Sequence, residues 1–139
     1  MSNAALTPQI RTFLFCDEVV RSEIEEEVYY LEGVREQFVV DSFPHWHSLE
    51  IFLGLAYRSG GTFRGKVCLK RDETEEIIQE VEFIVTFDIE DEGVFFPVEL
   101  GPCIFPEPGR YTGELWFTGA KGQAVQKAQR SILLVPREG

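Results

Sequence analysis

Two β-sheets packed face to face are the fold class this sequence predicts. Three observations predict it. Apolar residues alternate with polar ones in stretch after stretch, the mark of strands with one face buried. Turn-forming residues separate those stretches at short, even intervals. The one segment with helical spacing reads at least as well as a loop and a strand.

The elements follow in order. "FLFCDEV" (13–19) holds the first strand, with Cys16 on it or just beyond it. "DEVVRSEIEEEVYYLEG" (17–33) has two readings. As a helix, Asp17 would cap its start, Val20, Ile24, Val28 and Leu31 would share a face, and Gly33 would end it. As an acidic loop, it would lead into a strand over 28–40, where "VYYLEGVREQFVV" is rich in β-branched and aromatic residues. The second is preferred: neighbouring strands need partners, and Glu25, Glu26 and Glu27 would crowd one turn of a helix with like charge.

The remaining strands are clearer. "SLEIFLGLAY" (48–57) sets Leu49, Ile51, Leu53, Leu55 and Tyr57 on one face. "FRGKVCL" (63–69), "IIQEVEFIVTF" (77–87), "VFFPVEL" (94–100) and "YTGELWF" (111–117) obey the same rule, and the last strand covers roughly 124–135 before Pro136. "LKRDETEE" (69–76) is a polar hairpin loop, and "TGAKGQA" (118–124) is a glycine-bearing turn. About seven or eight antiparallel strands result. "EPGRYTGELWF" (107–117) sharpens the class to immunoglobulin-like. Its Gly109 suits a tight turn, and the Tyr111 hydroxyl would bond back to the backbone where the chain crosses between sheets.

The order of these elements resembles a family of small, functionally uncharacterised bacterial proteins with an immunoglobulin-like sandwich. The matching residues are "FLFCDEV" (13–19), "LEGV" (31–34), "FP" (43–44) and "FPEPGRYTGEL" (105–115). The resemblance spans nearly the whole chain, but its motifs are structural punctuation. It implies the fold and no catalytic residue.

At 139 residues the chain fits one domain, expected over 11–136 behind an N-terminal arm at 1–10. Ser2, Asn3 and Ala4 match an expression-vector remnant. The net charge of −11 lacks the basic footprint that nucleic acid or an anionic membrane requires. Charge is uneven: residues 1–109 carry 22 acids against 8 bases, and residues 110–139 carry two against five. A basic last strand would pair with acids across the sheet or attract an acidic face of another copy. Cys16, Cys68 and Cys103, odd in number and widely spaced, suit a reducing cytoplasm.

His45 and His47, in "DSFPHWHSLEIFLGL" (41–55), are the first candidates for chemistry. Two residues apart on a strand they share a face, so both could reach one zinc ion given a further ligand. The plainer reading lets Pro44 open the strand, turns Trp46 toward the core or a loop, and leaves both imidazoles in water. "DIEDEGVFFPVE" (88–99) puts Asp88, Glu90, Glu92, Gly93 and Glu99 at calcium-loop spacing. Strand flanks, Pro97 and the long glutamates oppose that reading. No nucleophile elbow or phosphate loop is present. Cys103 is expected at the surface.

The outward-facing aromatics point elsewhere. With the leucine row of 48–57 inside, Phe52, Gly54 and Ala56 face out, as does Trp116 on its own strand. If those strands adjoin in one sheet, the four residues form an apolar patch of the kind that marks an interface. The alternative is that the N-terminal arm or the acidic 17–27 loop covers it. The expectation is therefore a cytoplasmic, non-catalytic binding or protein-interaction module without a cofactor. It would engage a protein partner or a second copy, with metal binding at His45 and His47, or sugar stacking on Trp116 and Phe52, as alternatives.

Overall fold

The computed structural model describes residues 7–57, 59–88, 93–119 and 122–138. Nine strands form among them: β1 (Gln9–Arg21), β2 (Tyr29–Val34), β3 (Gln37–Val40), β4 (His45–Ala56), β5 (Gly61–Arg71), β6 (Ile77–Phe87), β7 (Val94–Phe105), β8 (Gly109–Thr118) and β9 (Ala124–Pro136). They make a four-stranded sheet in the order β2-β1-β4-β7 and a five-stranded sheet in the order β3-β9-β8-β5-β6. Every pairing is antiparallel except β3 with β9, which is parallel. No helix long and apolar enough to cross a membrane occurs among the described residues.

Alternation builds the core. Phe15, Ile51, Leu53 and Leu55 from one sheet meet Leu69, Leu115, Ile132 and Leu134 from the other, all essentially inaccessible to water. Each such side chain contributes about 1.5–3 kcal/mol by leaving water. The Phe15 ring lies directly over Gly113 of the facing sheet, since a Cβ at 113 would overlap the ring. Tyr111 is fully buried, and its hydroxyl donates to the Glu107 carbonyl at 2.6 Å, with Gly109 between them at φ +134°. The expected bond back to the backbone is there.

Several expectations need correction. The preference for loop and strand over a helix holds at 17–33, but the loop is shorter than expected: β1 runs on to Arg21, and only 22–28 is loop. The single strand expected over 28–40 is two strands in different sheets, because the chain leaves β2 after Val34 and crosses over at 35–36. β1 starts at Gln9, inside the segment expected as an arm. The basic last strand does find acids, but those flanking β3: Arg130 meets Glu36 at 3.4 Å and Arg137 meets Asp41 at 2.6 Å. Parallel pairing of β3 beside β9 puts them in reach.

Candidate functional site

β4 carries a different constellation at each end. At its start, the alternation that turns Leu49 and Ile51 inward also turns His45 and His47 inward, beneath Phe38 and Phe105. Trp46, on the opposite face, is 63% exposed. This reverses the expected arrangement of a sheltered tryptophan and solvated histidines. Pro44 does immediately precede the strand.

His47 belongs to a clamp. Its Nε2 lies 2.6 Å from Asp17 Oδ1, and Arg35 approaches the same carboxylate with Nε at 2.9 Å from Oδ1 and Nη2 at 2.6 Å from Oδ2. Gly33 makes room, since a Cβ there would overlap the Asp17 carboxylate. The Arg35 hydrogen bonds, reinforced by His47, hold the Asp17 carboxyl below its usual range despite partial burial. Arg35 in turn covers the Phe38 ring at 4.8 Å, and Phe38 meets His47 edge-on. His45 stacks beside His47 at 5.8 Å with Nε2 buried and unpartnered. Desolvation first, then the neighbouring His47 and Arg35, push its pKa down.

This cluster ties β1, the β2–β3 link and β4 together. Both oxygens of Asp17 are spent on Arg35 and His47, and no group of three metal-ligating side chains converges among the described residues. Asp17 and Arg35 escaped the sequence reading because they lie 30 and 12 residues from His47 with no spacing to connect them.

The far end of β4 holds a groove. β1 pairs with β4 up to Cys16 and with β2 from Cys16 onward. Ten residues of straight strand would separate Arg11 from Arg21 by about 33 Å. Both nevertheless line one cavity, so β1 curls. The curl coincides with a break in alternation, where Phe15 and Cys16 are buried in succession. It carries the end of the β1–β2 hairpin over the outer face of the four-stranded sheet.

There Tyr29 meets the Phe52 ring edge-on at 5.5 Å, and Phe95 stacks on Phe52 at 5.1 Å. Phe95 lies opposite Gly54 in the register, so no side chain on Gly54 stands beside the ring. On its other side Gly54 packs against Thr12 so closely that a Cβ would crowd it. Phe52 is thereby only 7% exposed, while Phe95 remains 49% exposed. The cavity beside them measures about 570 Å³, with Arg11, Arg21, Glu27, Tyr29, Gly54 and Phe95 among its lining.

The four-residue patch expected from sequence is not contiguous. Phe52, Gly54 and Ala56 lie in one sheet and Trp116 in the other, because β4 and β8 are not neighbours. Ala56 is buried opposite Gln9. Trp116 sits opposite Lys66 on the other outer face, where its indole N–H donates to Glu114 at 3.2 Å. The cover over Phe52 is Tyr29, just past the acidic loop.

The thiols are sheltered. Cys103, expected at the surface, is fully buried, and desolvation raises its pKa to about 12. Burial, followed by the charges of Glu50 and Asp17, raises Cys16 to about 11. Such thiols are poor nucleophiles at neutral pH. The calcium-loop spacing depends on Glu90 and Glu92, which lie outside the described residues. Its flanks, β6 and β7, are strands. No protein-family model matches the chain, and no curated protein matches it.

Proposed function

We propose that this chain is a non-catalytic binding domain whose ligand seat is the groove on the outer face of the β2-β1-β4-β7 sheet. The carrying observation is the groove itself. It has the volume typical of small-molecule sites, about 300–1,000 Å³, and a half-exposed ring, Phe95, supported from behind by Phe52 and Tyr29. Half-exposed aromatics on a rigid sheet provide apolar contact at little entropic cost. The sheltered thiols and the Asp17-bound His47 fit a binding role better than a reactive one.

An immunoglobulin-like classification fits the same reading. It is supported by the buried Tyr111 bonded to Glu107, by β4 and β7 facing β5, β8 and β9, and by β3 running parallel to β9.

The test is an amide NMR screen of a fragment mixture on isotopically labelled protein. Shift changes confined to Thr12, Gly54, Phe95 and their neighbours are expected. Changes centred on His45 and His47, or on Trp116, would place the site elsewhere and overturn the reading.

A further inference from the structure

We infer that the groove takes a small monocarboxylate with a flat apolar body. This rests on the reading of the groove as a binding seat and names what would occupy it.

Charge makes the case. The protein is strongly acidic, and six of its eleven described lysines and arginines are matched. Arg35, Lys66, Lys70, Arg71, Arg130 and Arg137 each have a carboxylate within 4.0 Å. Arg11, Arg21, Arg64, Arg110 and Lys127 have none among the described residues, and of these Arg11 and Arg21 share one groove. They come from the two arms of the β1 bend, so the curl that builds the cavity also brings two unmatched guanidiniums to it. Arg11 is laid down over Gly93, its Nη1 3.3 Å from where a Cβ would stand. A guanidinium presents paired donors that fit a carboxylate, and it is less strongly hydrated than an ammonium.

Glu27 sets the limit on ligand charge. It lines the same groove, so the lining that includes Arg11 and Arg21 carries a net charge of +1. A monoanion balances that charge; a dianionic phosphate would exceed it and face Glu27 as well. The Phe95 ring, flat and half exposed beside a residue without a side chain, accepts a planar apolar body. Acid and ring must therefore occur in one molecule of modest size.

The experiment titrates the labelled chain with phenylacetate, phenylacetamide, acetate and phenyl phosphate, following the amides of Gly54, Tyr29 and Phe95. Phenylacetate is expected to bind more tightly than any of the other three. Replacing Arg11→Gln or Arg21→Gln is expected to weaken phenylacetate about tenfold while leaving phenylacetamide unchanged. Both arginines are exposed, so neither change threatens folding. Equal binding of acid and amide would overturn the carboxylate assignment while the groove survives as a binding seat. Tighter binding of phenyl phosphate would overturn the monoanion. Absence of shifts with every aromatic probe would remove both the assignment and the seat.

Discussion

The two outer faces of the sandwich come from similar strands and end in opposite states. On the five-stranded sheet several outward side chains satisfy one another. Thr62 meets Thr86, Lys66 meets Glu80, Lys70 meets Glu114, Thr112 meets Ser131, and Trp116 donates to Glu114. On the four-stranded sheet the curled β1–β2 hairpin covers Phe52 with Tyr29, leaves Phe95 half bare and brings Arg11 and Arg21 to the cavity, neither with a carboxylate within 4.0 Å among the described residues. A sheet face can thus be closed by its own cross-strand pairs or left open by a neighbouring hairpin. Only an open face has contacts to offer a ligand.

The largest effect should come from Phe52→Ala. The ring is enclosed by Tyr29 and Phe95, so its loss leaves a hole on the outer face and unseats the hairpin. About 3 kcal/mol of stability should go, measured by urea unfolding. Trp116→Ala, on the opposite face, should cost about 1 kcal/mol or less, because its ring is only partly covered. Equal losses would erase the contrast between the faces.

The next effect concerns the Asp17 clamp, which anchors the root of the same hairpin. Asp17→Asn leaves Arg35 without its counter-charge and should cost on the order of 1 kcal/mol, since the pair is about one-third exposed. Acid should act in the same direction. A depressed folded pKa at His45 means the unfolded chain binds the proton more readily. Stability is then full above the ordinary histidine value near 6.5 and falls as pH drops through the lower folded value. Asp17 adds a second loss below its ordinary 3.8. Unfolding midpoints followed from about pH 7.5 to 5 should decline, and His45→Leu should flatten that decline.

Much of the fold was legible in the sequence because strand periodicity is local. Each apolar row from Leu49 to Leu134 could be read from its neighbours alone, and "PGRY" identified the buried tyrosine bond. The inward side of His45 and His47 follows from the same parity as Leu49, yet the sequence reading left both imidazoles in water. The groove was not legible. It depends on β1 curling at Cys16, which brings together Arg11, Arg21, Phe95 and Gly54 from segments up to 84 residues apart. The patch of Phe52 with Trp116 failed for a related reason: alternation tells which face a residue takes, and only topology tells which strands adjoin.

The smallest effect should come from the closed face, at Glu114→Gln. Glu114 receives Lys70 at 3.1 Å and the Trp116 indole N–H at 3.2 Å. Glutamine keeps an oxygen for the indole and loses only the ion pair. Lys70, whose pKa is raised by the Glu114 hydrogen bond and charge, should then titrate at lower pH. A half-buried surface pair of this kind is worth about 1 kcal/mol or less and fades with salt. Urea melts of the wild-type protein and the variant should therefore differ slightly at low ionic strength and converge at high ionic strength. A loss as large as that of Phe52→Ala would mean that the pairs on the five-stranded sheet carry stability themselves, and the face would have to be described as a second packed layer.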